Sequence, residues 1–288
     1  MEPQQGAHRI GEFARRVGVS PELLRAWERR YGLLSPKRSA GGFRLYTDED
    51  AARVNRMRRA LAEGLSAAEA ARVAVEHQRP PDGLLEHAAQ RLYAAIESYD
   101  EAAVHAVLDE HLAAFGLETL LREVIMPTLV RIGAAWQRGE LEIGHEHFAS
   151  NLIRGRLLAL ARLWGRGDGP LALLACPPGE SHDINLLAFG ILLRSHGWRI
   201  IFLGANTPIS TLKQTTDTTR PAAIVLTTFD PTVLEAQSAA LRSLAHTVPL
   251  YIAGPGATHP LATTLHAHLL EGDLVTAARE LPARSREA

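Results

Sequence analysis

The sequence predicts an all-α part followed by an α/β part: a small helical head with a two-stranded wing, a four-helix bundle, and a doubly wound parallel sheet. Three observations predict it. Short helical segments punctuated by glycine and capping residues fill residues 8–76. An Ala/Leu-rich stretch with helical spacing runs from Leu84 to about Trp164. From Leu171 onward, apolar runs of strand length alternate with helical stretches, the pattern of a parallel sheet covered on both faces. Charge divides in the same way. Residues 1–79 carry 15 Lys+Arg against 10 Asp+Glu, and the remainder carries 16 against 22. A basic head on an acidic body points to a polyanion partner for the head alone.

In the head, Ile10-Gly11-Glu12-Phe13-Ala14 opens a helix and Gly18 turns the chain into Ser20-Pro21-Glu22. Ser20 suits an N-cap and Pro21 the first helical position. The next helix, Glu22–Tyr31, displays Arg25, Glu28, Arg29 and Arg30, and Gly32 ends it. Pro36-Lys37-Arg38 and Gly41-Gly42-Phe43-Arg44-Leu45-Tyr46 read as the wing of a winged helix-turn-helix. Thr47-x-x-Asp50 and Ser66-x-x-Glu69 are capping boxes starting two further helices. Trp27 and Tyr46 also suit the core of so small a unit. A helix carrying arginines after such a turn can enter a major groove, where the planar guanidinium fork pairs with guanine or phosphate.

A linker, His77 to Gly83 with paired prolines, separates head from body. The division expected is 1–78 for the head, 79–83 for the linker, 84–166 for the bundle and 167–288 for the sheet domain. Bundle helices are expected at about 84–96, 100–113, 117–136 and 142–164. Leu117, Leu120, Leu121 and Val124 mark a buried face. Strands are expected at Leu171–Ala175, Arg199–Leu203, Ala222–Thr227 and Pro249–Ala253. The helices between and after them fall at about 183–196, 208–218, 230–244 and 258–267. Ligands of such sheets bind beyond the strand carboxyl ends. The loops of interest are therefore Pro177–Asp183 with Glu180, His182 and the following Asn185, then Gly204–Pro208 with Asn206 and Thr207, Thr228–Pro231 after Thr227, and Gly254–His259 with Gly256.

No apolar run reaches the roughly 18–20 residues that span a bilayer, and Met1–Arg9 has no apolar signal core. The single cysteine, Cys176, excludes an internal disulfide framework. It fits a small apolar strand residue in a reducing compartment. A cytoplasmic protein with no membrane partner is expected.

The run from Arg25 to Val54, RAWERRYGLLSPKRSAGGFRLYTDEDAARV, resembles the winged helix-turn-helix of the MerR family. The resemblance implies operator DNA as partner, with base-edge contacts around Arg25, Glu28 and Arg29 and phosphate contacts from Tyr31, Arg38, Arg44 and Tyr46. A lone cysteine argues against the thiolate metal sites of metal-responsive members. The body resembles a Rossmann-like cobalamin-binding domain. That family's Asp-x-His-x-x-Gly signature, whose histidine lies under the corrin cobalt, stands here as Glu180-x-His182-x-x-Asn185. Trp136, followed by Glu146-His147, is similar to the Trp-x9-Glu-His motif of the light-sensing CarH/LitR group. There it packs against an adenosyl upper ligand.

The resemblance implies a non-enzymatic, adenosylcobalamin-dependent, light-responsive repressor that self-associates to a dimer or tetramer. His182 would be the lower cobalt ligand, and Trp136, Gln137, Glu146, His147, Glu180, Asn185, Gly204, Asn206, Thr207, Thr227, Gly254 and Gly256 would surround the cofactor. Two departures stand out: Asn185 replaces a glycine, and Gln137 replaces a cobalt-ligating histidine, for which His145 is the candidate substitute. Two rival readings are a cofactor-independent repressor whose body is an oligomerisation module, and a corrinoid carrier of methyl transfer.

Overall fold

The structure, a computed structural model, describes residues 8–38, 42–62, 64–76, 83–161 and 164–281. It divides into two compact units, Met1–Pro81 and Asp82–Ala288. The tip of the expected wing, residues 39–41, and most of the expected linker, residues 77–82, lie outside the described residues.

The first unit consists of α1 (Ile10–Val17), α2 (Pro21–Tyr31), β1 (Lys37–Arg38), β2 (Arg44–Leu45), α3 (Asp48–Ala62) and α4 (Ala67–Glu76). Gly18 and Gly32 end α1 and α2 in the left-handed conformation, at φ of 64° and 61°, which a side chain would resist. The Ser20 hydroxyl accepts from Leu23 N, and both capping boxes form. Thr47 N donates to Asp50 while Asp50 N donates to the Thr47 hydroxyl, and Ser66 and Glu69 repeat the exchange. β1 and β2 pair antiparallel. Phe13, Leu24, Trp27, Leu33, Tyr46, Val54 and Met57 fill the core.

The second unit begins with α5 (Leu84–Glu97), α6 (Glu101–Thr119), α7 (Met126–Gln137) and α8 (Ile143–Leu160), the expected four-helix bundle. Gly116 (φ 75°, ψ 173°) kinks α6, between the two helices the sequence separates. A π-helical stretch, Leu120–Ile125, then leads into α7. Pro127 has no N–H to continue the ladder, and Met126 N reaches back five residues to Leu121 O.

The sheet part follows as β3 (Leu171–Ala175), α9 (Ile184–Ser195), β4 (Arg199–Gly204), α10 (Ile209–Thr219) and β5 (Ala223–Thr227). It continues with α11 (Pro231–Glu235), α12 (Ser238–Ala245), β6 (Leu250–Ala253), α13 (His259–Leu265), β7 (His268–Leu269) and α14 (Leu274–Glu280). The strand order is β4-β3-β5-β6-β7 with every pair parallel. The expected helix at 230–244 is two helices, and β7 and α14 were not expected.

Alternation along β3 sends Ala172, Leu174 and Cys176 to one core and Leu173 and Ala175 to another. The first of these cores is continuous with the bundle. Leu92, Leu121, Val124, Ile153 and Leu157 pack in the same cluster as Leu186, Leu187 and Trp198. Bundle and sheet are therefore one packed unit. The strand order reverses direction between β3 and β5, so the loops leaving those two strands flank the switch point where such folds bind ligands.

Candidate functional site

In the head, α2 buries Leu24 and Trp27 and leaves Arg25, Arg29 and Arg30 exposed. Arg38 and Arg44 are exposed on the wing, and Tyr31 is half-buried against the core. Two expected DNA contacts have other positions. Tyr46 is fully buried, stacks on Phe13 at 4.8 Å, and donates its hydroxyl to Glu28 Oε2 at 3.0 Å. Burial first, and then that bond, push the phenol up to about 12. Glu28 is committed in turn, since Arg44 Nε donates to Oε1 at 3.0 Å. Both residues therefore position the wing against α2, and Tyr46 offers no group outward. Sequence reading also missed Arg9, whose guanidinium sits 4.5 Å over the exposed Phe43 ring of the wing.

The second site is built on the loop after β3. Glu180 is buried, 3% exposed, and its two oxygens face different partners. Oε1 accepts from His182 N at 2.9 Å and from His182 Nδ1 at 2.6 Å. Oε2 accepts from Phe229 N at 2.6 Å and the Thr228 hydroxyl at 3.4 Å. Burial alone would raise this carboxyl. The main-chain donors of Phe229 and His182 and the imidazole more than offset that, and it lies below the usual range. The Cys176 thiol, pushed up to about 11 by burial, donates to His182 O at 3.8 Å. His182 is thus fixed at its main-chain N, its main-chain O and Nδ1, while its side chain stays 62% exposed. In the neutral ring with Nδ1 donating to Glu180, the lone pair lies on Nε2. The ring leans on the exposed Phe229 ring, 4.4 Å between centroids.

The other expected loop residues mostly support this arrangement. Thr207 is buried, with its N donating to Cys176 O and its hydroxyl to Gly204 O. The Thr227 hydroxyl is buried against Cys176 Sγ at 3.4 Å. Asn206 accepts from Gly179 N through its side chain and donates its own N to Glu180 O. A Cβ on Gly254 would lie 2.5 Å from Thr228 O, and one on Gly256 2.7 Å from Phe229 C. These glycines are required by loop-on-loop packing, a reason different from the ligand approach expected of them. Asn185 is half-buried in the first turn of α9.

The bundle reaches this loop through α8. Glu146 accepts from the Ser150 hydroxyl at 2.6 Å, His147 is exposed, and one turn beyond Ser150 stands Arg154. Arg154 Nε donates to Asp183 Oδ1 at 3.0 Å and Nη2 to Oδ2 at 2.8 Å. The bond to Asp183 raises the guanidinium above its ordinary value. His145 is held elsewhere: its ring stacks on Tyr99 at 4.3 Å and its Nδ1 lies 3.2 Å from Glu142 O. Trp136 and Gln137 are exposed at the C-terminal end of α7.

The comparisons with known proteins follow this two-part layout. The family described as MerR HTH family regulatory protein matches residues 8–75, and the B12 binding domain family matches residues 88–161. The HTH-type transcriptional repressor CarH of Myxococcus xanthus is 32% identical over 92% of this chain and 95% of its own length. This chain belongs to the CarH family of MerR-type, cobalamin-binding transcriptional regulators. A second member, the repressor CarA of the same organism, is 37% identical over 76% of this chain and 75% of its own. The regulator MlrA of Escherichia coli is 46% identical over 56 residues, 19% of this chain. Among solved structures, the monomethylamine corrinoid protein of Methanosarcina barkeri has the same fold over 67% of this chain and 96% of its own, with a TM-score of 0.57 and 16% identity. Among the described residues, no helix is long and apolar enough to cross a membrane.

Proposed function

We propose that this CarH-family chain is a light-responsive repressor that takes adenosylcobalamin as cofactor and holds operator DNA through several heads of one oligomer. The observation that carries the reading is the Glu180–His182 pair. At the switch point of the sheet, a buried carboxylate fixes the Nδ1 proton of an exposed imidazole, leaving Nε2 as a neutral nitrogen donor. Such a donor set fits a cobalt ion, and a carboxylate behind the ring sets its tautomer and orientation. When bound, the corrin supplies a cobalt–carbon bond that light breaks.

The chain's own residues do the rest. His182 would hold the cobalt from the sheet side, and Trp136, Glu146 and His147 would line the cofactor from the bundle side. Gln137 stands where the best-known members carry a histidine, and its amide is a poor cobalt ligand. The bundle shares its core with the sheet, so a change in how the bundle is seated would be felt in the sheet part. A ligand controls assembly only by favouring one state over the other. Multiple heads then raise DNA affinity through effective concentration. In each head Arg25 and Arg29 reach base edges, and Arg38 and Arg44 reach phosphates. The likeness of fold to a corrinoid carrier does not decide function, and the basic head favours the regulator.

The test uses purified full-length chain with adenosylcobalamin, recorded in the dark and after green light for absorbance, particle mass and operator retention. Corrin retained in the dark, with a light-dependent loss of mass and retention, is the expected result. No bound corrin, or mass and retention indifferent to light, overturns the reading. Removing a phosphate contact such as Arg44 should also lower the slope of log affinity against log salt by roughly 0.9.

A further inference from the structure

We propose that the Arg154–Asp183 ion pair is a positioning device that makes the placement of His182 depend on where α8 is seated. The inference rests on the cobalamin reading above and assigns a role to two residues outside the motifs.

Asp183 directly follows His182 and occupies the N-cap position of α9, yet its side chain makes no capping bond there. Three other aspartates at the same position, Asp100, Asp230 and Asp273, all cap their helices. At α9 the carboxylate is instead turned to the bundle, where Arg154 grips both oxygens. Asp183 is 5% exposed on its side chain and Arg154 42%. The pair is thus anchored in the interior on the loop side and reached from the surface of α8.

The His182 bonds described above all come from the sheet part: Glu180 to its N and Nδ1, and the Cys176 thiol to its O. Arg154 adds a link from the bundle to the very next residue. Along α8, Glu146, Ser150 and Arg154 are spaced by four and share one face, with Ser150 already bonded to Glu146. Eight residues of helix span about 12 Å. The same rigid helix therefore carries the residues assigned to the upper ligand and the residue that grips the loop of the lower one. A displacement of α8 at Glu146 is felt at Arg154. Loss of the Asp183 contact removes this bundle-side restraint from the residue next to His182 and leaves the ring to its sheet-side bonds. The pair couples the two axial positions through protein, with no chemistry of its own.

The experiment compares full-length parent, Arg154→Gln, Arg154→Lys and Asp183→Asn in two arms. In the first arm, without cofactor, side-chain nitrogen NMR of His182 and amide exchange of His182 and Phe229 are measured. The expected result for Arg154→Gln is a broadened His182 signal and amide exchange faster by tenfold or more. Arg154→Lys, which keeps one charged donor, should recover part of the difference. In the second arm, adenosylcobalamin is titrated in the dark. The expected result is affinity lower by about tenfold, the low end for outer-shell partners of metal ligands, with a visible spectrum mixed between imidazole-ligated and unligated forms. Parent-like exchange and NMR in Arg154→Gln would overturn the positioning role, whatever the second arm gives. Corrin uptake absent from the parent would instead sink the cobalamin reading while the first arm still decides the coupling.

Discussion

Glu180→Gln isolates the carboxylate that organises the switch-point loops, because it keeps size and shape while removing one acceptor. In the parent, Oε1 serves His182 N and Nδ1, and Oε2 serves Phe229 N. An amide has one oxygen. If that oxygen faces the His182 side, the amide N–H₂ opposes Phe229 N–H; in the flipped orientation it opposes His182 N–H. Either way one main-chain donor in a 3% exposed environment loses its acceptor, which costs about 1–3 kcal/mol. Taking about 2 kcal/mol, and a urea dependence of about 2 kcal/mol/M for a domain of this size, the midpoint should fall by roughly 1 M. His182→Ala makes the contrast. It removes one bond from a ring that is 62% exposed and leaves both main-chain donors satisfied, so its cost should stay below about 1 kcal/mol. The assay is urea unfolding of the cofactor-free chain, followed by tryptophan fluorescence in a Trp27→Phe background so that the remaining tryptophans, Trp136, Trp164 and Trp198, all report on the second unit. A Glu180→Gln midpoint equal to the parent's, or a His182→Ala loss exceeding it, would refute the assignment of the carboxylate to the main chain.

Three further outcomes follow from the same geometry. The Tyr46 phenol, with its value raised from 10.0 to about 12, should ionise after the exposed tyrosines in a phenolate absorbance titration. Its neutral form supports the head fully below pH 10, and that support is lost as pH rises through 12; Tyr46→Phe should remove the late component and the alkaline slope. Gly256→Ala places a Cβ against the Phe229 main chain. Overpacking of about 1–3 kcal/mol should lower the Tm of the second unit by roughly 2–12 °C, and an unchanged calorimetric Tm would show that the two loops separate freely. Burial pushes the Asp273 carboxyl up, but Arg122 and Thr276 N more than offset it, and it is held below its ordinary value. Its stabilising effect is present above the usual carboxylate range and lost as pH falls through the lowered value. Asp273→Asn should therefore flatten the acid limb of stability measured between about pH 5 and pH 2.

Much of this architecture is legible because its signals are local. β3, β4, β5 and β6 begin and end within a residue of the apolar runs, and both capping boxes in the head close as their spacing requires. β7 escaped because two residues, His268–Leu269, carry no periodicity to read. The expected helix at 258–267 ends early because His266 adopts φ 54°, which no short-range signal announces. At the site, the Glu180–His182 contact spans two residues and could be anticipated. Arg154 meets Asp183 across 29 positions, where α8 packs beside the loop after β3, and Phe229 meets Glu180 across 49, where the parallel pairing of β3 and β5 brings their loops together. Tyr46 suits both the core and a phosphate contact from the sequence, and the structure gives it the core: His8 pairs with it through two main-chain bonds and Phe13 covers its ring.

Two of the glutamates singled out by motif, Glu28 and Glu180, share a design that changes what a motif residue means here. Each divides its two oxygens between groups of different standing. Glu28 takes Arg44 on Oε1 and Tyr46 on Oε2, joining the recognition helix to the wing. Glu180 takes His182 on one side and Phe229 on the other, joining the loops after β3 and β5. Glu180 is buried with both oxygens engaged, and each oxygen of Glu28 already holds one partner. Each aims a neighbour that can meet an outside ligand: the Arg44 guanidinium and the His182 Nε2. Shortening either by one methylene leaves too little reach to hold both sides. Glu28→Asp should therefore loosen Arg44 while sparing the α2 arginines, weakening DNA affinity with little change in base preference. A Glu28→Asp head that lost base preference before affinity would show that the glutamate reads the bases itself.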